Sequence, residues 1–345
     1  MKKIVKQVVG IDVAQKELVV SLGRMYEDLA LDLYARKTTP NTPKGFMTLL
    51  SWVSKLTDPA IEVRYVMEAT GVYHESLAYY LEERGQAVSI VLPNKISNYF
   101  RTLDVKTITD KTAAETIARF GLERKLDNWK RPNAIFKKLR QLTRERDQLI
   151  QARTVAKNQL HAELSEAEPN KNSVARIKKQ IVLFKKLEQE IRTELSELLN
   201  QDQEIKKSVT TICSLSGVQV LTAVTVLAEV NGFELIRNKR QLTSYAGLDV
   251  KEKQSGTSIK GKPRISKKGN KYLRKAMHLP ALAAIRCDER FKAIFTRLVS
   301  KHGIKMKAAV AVQRKLLEMI FIIYKTNKPY DKNYFKKLES SIAAP

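Results

Sequence analysis

The chain has 345 residues, enough for two or three domains with a sizeable core. Its 63 Lys and Arg against 36 Asp and Glu leave a formal charge of +27, which calls for a polyanionic partner, and 43% apolar residues exclude a disordered chain. A membrane span is excluded too: no window reaches roughly 18 uninterrupted apolar residues, and the run 316–324 is short and contains Glu318.

The opening MKKIVKQVVGIDV passes directly into a strand-like segment carrying an acid, unlike a secretory signal. Residues 8–13 are β-branched and apolar, and 17–23 alternate as an antiparallel partner would, so a hairpin is expected. Residues 41–55 read as a helix after Pro40 and Pro43, and 61–67 as a third strand ending at Glu68. A helix over 71–81, a fourth strand over 87–92 and a helix over 110–120 with Thr109 or Asp110 as N-cap follow. This alternation over 1–130 predicts an α/β domain on a mixed sheet.

From 132 to 166 and again from 173 to 208 the pattern is continuously helical. Ile177, Ile181, Phe184, Leu187, Ile191, Leu195 and Leu198 recur every three or four residues, a coiled-coil stripe. The break at 169–172 predicts an antiparallel helical hairpin, either a connector or a dimerisation arm. The expected organisation is a metal-binding α/β domain over 1–130, a helical coiled-coil segment over 131–208, a mainly α domain over 209–330 and a peripheral tail over 331–345. Cys213 and Cys287 stand far apart in apolar surroundings, as reduced core thiols of a cytoplasmic protein would, and the four histidines at 74, 161, 278 and 302 lack metal-ligand spacing.

Two acids close apolar strands: Asp12 in VVGIDVAQKEL and Glu68 in VRYVMEATGVYHESL. A strand acid is costly to bury unless it is paired or holds a cation. Alone, each reads as a cap or salt-bridge partner; gathered at strand ends, they form an oxygen ligand set for Mg²⁺ or Mn²⁺. The order of a G-I-D strand, a hairpin, a strand ending E-A-T-G and an acid heading a helix resembles RuvC-like and RNase-H-like nucleases. More specifically, GIDVAQKE at 10–17, EATGVYH at 68–74 and TDKTAA at 109–114 resemble the N-terminal domain of DEDD transposases of the insertion-sequence 110 family. The resemblance implies that Asp12, Glu68 and Asp110 are three of four metal-site acids. The fourth position departs from the family pattern, because Ala113 stands there and cannot bind metal. Glu115 is a poor substitute, lying about 140° around the helix from Asp110 where a residue three positions on lies about 60° away; Asp104 is a further candidate from the preceding loop.

In the C-terminal part, SGVQV at 216–220 sits between apolar helical stretches. Gly217 there either lets backbone N–H groups approach a phosphate, as in a helix-hairpin-helix element, or simply begins a helix. Ten basic residues against one acid fill 251–275, with Ser255-Gly256 in an expected loop. A serine in such a loop reads first as a solvated residue or a phosphate donor, since its hydroxyl needs activation to attack. SYAGL at 244–248, QSG at 254–256 and RISKKGNKYLR at 264–274 resemble the serine-bearing domain of the same transposases. The resemblance implies Ser255 as the nucleophile of a phosphoserine bond to DNA, with Lys260, Lys262, Arg264, Lys267, Lys268, Lys271 and Arg274 as phosphate contacts; Ser258 and Ser266 are weaker candidates, Ser266 as a helix-start cap. It further implies a homo-oligomer, dimer or tetramer, in which one protomer's acids meet another's serine. Its partners would be donor and target DNA and a structured bridge RNA that guides the choice of site. The alternatives are a RuvC-like junction nuclease in which water attacks, and a catalytically disabled nucleic-acid-binding derivative.

Overall fold

The computed structural model describes every residue except 1, 70, 104–106, 108, 235, 253, 256–258, 262 and 334–345, with the backbone alone at 254, 255, 259 and 260. The chain forms two compact units, Met1–Arg131 and Pro132–Pro345.

Three long strands open the first unit: β1 (Ile4–Val13), β2 (Glu17–Tyr26) and β3 (Leu31–Pro40). Helix α1 (Pro43–Leu56) follows, started by Thr42, whose side chain accepts from Gly45 N–H, and by Pro43 in the first turn. Then come β4 (Val63–Glu68), α2 (Glu75–Glu82), β5 (Ala87–Val91), α3 (Pro93–Phe100) and α4 (Asp110–Glu123). The sheet order is β3-β2-β1-β4-β5, antiparallel among the first three strands and parallel across β1, β4 and β5. The mixed sheet is as expected, but β3 and α3 are additions to the elements read from sequence.

Alternation sorts each strand's residues between two layers. Val9, Ile11 and Val13 join Tyr65 and Met67 under α1 and α2, whereas Val8, Val66 and Val91 pack with Ile117, Phe120 and Leu122 of α4. Helix α4 lies unusually close to the sheet. A Cβ on Gly10 would sit 2.3 Å from Ala118 N and 2.4 Å from Ala114 O, and one on Gly121 would sit 2.7 Å from Val8 Cγ1. Gly23, whose Cβ would meet Leu122 Cδ1 at 2.9 Å, completes the trough on β2.

In the second unit α5 (Ala134–Leu164) and α6 (Lys171–Gln201) form the expected antiparallel hairpin. Of the predicted stripe, Ile181, Ile191, Leu195 and Leu198 are buried and Ile177, Phe184 and Leu187 half-buried. The hairpin continues into α7 (Gln203–Ile212), α8 (Val220–Glu229), a 3₁₀ turn (Asn231–Phe233) and α9 (Lys239–Tyr245). Four two-residue strands come next: β6 (Val250–Lys251), β7 (Gln254–Ser255), β8 (Ile259–Lys260) and β9 (Arg264–Ile265). Helices α10 (Lys271–Ala276), α11 (His278–Cys287), α12 (Glu289–His302) and α13 (Lys305–Thr326) close the unit. Its core runs from Leu139 and Leu142 through Leu195, Val226 and Leu227 to Leu316 and Ile320. The apolar run 316–324 is thus a core helix, and no helix among the described residues is long and apolar enough to cross a membrane. Cys213 is half-buried, but Cys287 is exposed at the end of α11, not a core thiol.

Candidate active site

Strand register brings the first two acids together. β1 and β4 run parallel with Ile11 opposite Met67, so the next positions, Asp12 and Glu68, end neighbouring strands. By alternation from Val8 and Val66 both project on the α4 side of the sheet. Asp110 occupies the first turn of α4, one turn before Ala114, whose carbonyl the missing Cβ of Gly10 admits. A capping box fixes that first turn: Thr112 N–H donates to Thr109 Oγ1 at 3.3 Å, and Thr109 N–H donates to Thr112 Oγ1 at 2.8 Å. Gly10 therefore lets the helix lie where its head reaches the strand ends.

The electrostatics register this meeting. The Asp12 carboxyl is half-buried, and burial, with the charges of Asp110 and Glu68 adding to it, pushes its pKa up to about 6, while the Val13 N–H opposes the shift. Mutual repulsion among carboxylates is the condition a divalent cation relieves, and three hard oxygen donors suit Mg²⁺ or Mn²⁺ in kind. Among the described residues no three Asp, Glu, His or Cys side chains converge tightly enough to cage an ion. Mg²⁺ sites commonly take one or two carboxylates and complete their shell with retained waters and substrate phosphate. Ala113 is half-buried in the turn after Asp110. Glu115 is no replacement, since it forms an ion pair with Arg36 of β3; Asp104 lies outside the described residues.

In the second unit Ser255 lies in strand β7, not in a loop, and its backbone pairs with Ile259 of β8. At the base of this excursion β6 pairs with β9, Val250 opposite Ile265. Ser266 N–H donates to Asp249 O at 2.8 Å and Ser266 Oγ to Asp249 Oδ1 at 2.6 Å.

A DEDD transposase model of the IS110 type matches residues 9–169, and a model for transposases of the IS116/IS110/IS902 family matches residues 209–296. The chain belongs to the IS110 transposase family. It is 27% identical over 336 residues to the pilin gene-inverting protein of Moraxella bovis, covering 95% of this chain and 98% of that one. The pilin gene-inverting protein of Moraxella lacunata is 26% identical over the same length, with the same coverage. Among solved structures, RuvC of T. thermophilus in complex with a Holliday junction substrate aligns at 12% identity and a TM-score of 0.28, over 36% of this chain and 99% of RuvC.

Within this transposase the remaining predicted residues divide. Arg264, Lys267, Lys268 and Lys271 are exposed and free to meet a polyanion; the side chain of Lys260 and all of Lys262 lie outside the described residues. Arg274 is half-buried and turned inward: its Nη1 donates to Ala246 O at 2.8 Å and to Gly269 O at 3.2 Å, tying two turns together. Ser266 does not cap a helix. Asn270 caps α10, its Oδ1 accepting from Tyr272 N–H at 2.9 Å and Leu273 N–H at 3.1 Å. Gly217 has a packing reason, with φ +84° and a would-be Cβ 2.5 Å from Pro280 O of α11. Sequence reasoning missed Gly10; its signal was a glycine two places before an acid on a strand, the spacing that shares a face.

Proposed function

We propose that this chain cuts and rejoins DNA through a covalent phosphoserine intermediate, with Asp12, Glu68 and Asp110 holding Mg²⁺ or Mn²⁺ and a structured RNA guiding the choice of site. The observation that carries it is the gathering of three acids, in which the charges of Asp110 and Glu68 add to burial in raising the Asp12 carboxyl to about 6. A carboxyl raised by burial and by like charges is one whose charged form a bound cation would stabilise. When bound, the cation would supply charge stabilisation at the scissile phosphate.

Ser255 takes its role from the family resemblance. Its Oγ attacks phosphorus, an O–P bond forms, one P–O bond to deoxyribose breaks, and the serine proton ends on the departing sugar oxygen. The exposed Arg264, Lys267, Lys268 and Lys271 would contact the phosphates of the strand. Such an exchange conserves phosphodiester energy, as inversion of a DNA segment requires, and relatives named for inverting pilin genes support that reading. The same resemblance supports assembly as a dimer or tetramer in which acids and serine come from different protomers.

The test is a denaturing gel with labelled DNA, the co-purified RNA and Mg²⁺. Wild type should carry label into the protein band and Ser255→Ala should not. Hydrolysed ends without an adduct would replace this mechanism by attack of water. Mixing Asp12→Asn with Ser255→Ala chains should restore adduct if the two centres act between protomers.

A further inference from the structure

The second unit contains a cavity of about 720 Å³ between α5, α8, α10 and α11, within the size range of small-ligand sites. Its most distinctive feature is Arg144. The guanidinium donates to buried Glu229 through two bonds, Nε to Oε1 at 2.7 Å and Nη2 to Oε2 at 2.8 Å. Its Cζ lies 4.5 Å from the ring centroid of Tyr272. Glu229, only 1% exposed, is itself fixed by Asn270 Nδ2 at 2.6 Å, and Asn270 also caps the helix that carries Tyr272. A bidentate carboxylate thus holds the guanidinium by its edge and an aromatic ring covers it, while the side chain keeps 39% of its exposure and borders the cavity.

We infer that this cavity receives an unpaired nucleobase, stacked on the guanidinium plane of Arg144. A planar cation held rigid before binding is a platform for a π-face, and every base has one. The walls are apolar, formed by Ile150, Leu221, Leu279 and Pro280, and Leu279 stands 73% exposed. Lys275, paired with Asp147, lies on the lining and can turn to the phosphate that follows the base. The exposed Lys267, Lys268 and Lys271 stand just before it on the chain, so the backbone of a bound strand has cations leading to the cavity. A base inside a duplex has its faces occupied, so the site selects single-stranded or extruded nucleotides.

The inference rests on nucleic acid being the substrate of this chain, and the experiment separates the two. Mixed-sequence single-stranded DNA and RNA, each carrying photoreactive thiopyrimidines, are irradiated with the full chain, and the crosslinked peptides are mapped; the same strands annealed as blunt duplexes are the control. Single strands should crosslink to the peptides bearing Tyr272 and Leu279 and duplexes should not; which of DNA and RNA does so identifies the source of the base. Thr222→Trp, which fills the cavity from α8 and leaves Arg144 in the chain, and Arg144→Lys, which keeps the charge opposite Glu229 but loses the plane, should each cut these crosslinks roughly tenfold, the scale of one base stack. The salt dependence of binding, set by phosphate contacts, should stay the same in both. Strand binding with crosslinks unchanged in Thr222→Trp, or equal from duplex, overturns the cavity assignment and leaves the nucleic-acid reading standing. Failure of any strand to bind overturns both.

Discussion

Asp12 of the first unit and Glu188 of the second are both carboxylates set among charges, with opposite outcomes. Asp12 ends a strand beside Glu68 and Asp110, and burial together with those like charges pushes it up to about 6. Glu188 lies in the helical hairpin, its side chain 8% exposed, bonded to Arg146 at 2.7 Å, Arg192 at 3.0 Å and also Arg153. Burial alone would raise its pKa, but the three guanidiniums outweigh it and the net shift is downward. Glu229, bidentate with Arg144, repeats the paired arrangement. Glu188 and Glu229 are each held by guanidinium groups, whereas the charges that shift Asp12 are themselves negative. On the proposed function Asp12 is a working acid, and Glu188 and Glu229 are architectural ones.

The contrast breaks most easily at Asp12. Asp12→Asn keeps the shape and removes the charge, so strand cleavage in Mg²⁺ should fall about a thousandfold or more, the scale of losing a metal ligand. Single-turnover cleavage of labelled DNA reads this, and near-normal cleavage would move Asp12 to the architectural class. Next comes the packing that assembles the acids. Gly10→Ala puts a methyl against the backbone of α4, which cannot yield as a side chain could, and should cost about 3 kcal/mol in denaturant unfolding while shifting Asp110 from the strand ends. An unchanged stability would mean that the helix is not held by that contact.

Much of the first unit was legible because its signals are local. The apolar run at 8–13 and the Thr109 cap of α4 follow from periodicity and hydrogen-bonding chemistry, and both stand in the structure. Strand β3 escaped notice for a physical reason: as an edge strand it is mostly half-buried or exposed, with Arg36, Lys37, Thr38 and Thr39 in its second half, so it lacks the alternation of a core strand. Helix α3 is eight residues long and polar, PNKISNYF, too short for periodicity to declare itself. At the second centre, composition shows the basic segment but cannot tell a cation that faces outward from one turned in. Lys268 and Arg274 look alike in sequence, yet Arg274 is consumed by carbonyls of two turns because Gly247 and Gly269 bring those turns together. The meeting of Asp12 with Asp110 depends on Gly10, a long-range packing event with no counterpart in local pattern.

The architectural side is sharpened by Glu188→Ala. Removing it leaves three guanidiniums facing one another, and thermal or denaturant unfolding should register about 2 kcal/mol of lost stability, less than for a fully buried pair because Arg192 is half exposed. Cleavage per folded molecule should not change. A loss of cleavage without a loss of stability would place Glu188 among the working acids.

The smallest effect has the opposite sign. Because the folded-state pKa of Asp12 lies above its unfolded value, the folded protein binds the proton more tightly, and ionising Asp12 costs stability. Above about pH 6 that penalty is complete; it shrinks as the pH falls from about 6 towards 4 and is gone below the unfolded value. Asp12→Asn should therefore stabilise the cation-free protein at pH 7 by about 1 kcal/mol, after allowing for solvent screening of a half-exposed carboxyl, and should make no difference near pH 4. Adding Mg²⁺ should raise the Tm of wild type more than that of Asp12→Asn, because the cation stabilises whichever chain binds it in the folded state. Glu188→Gln has the reverse dependence: its native pKa is lowered, so the stability lost on substitution is largest at neutral pH and fades as the pH falls through the carboxylate range. Two single-atom-scale changes with opposite signs at pH 7 are the sharpest form of the comparison, and the same sign at both sites would show that the environment of Asp12 is compensated after all.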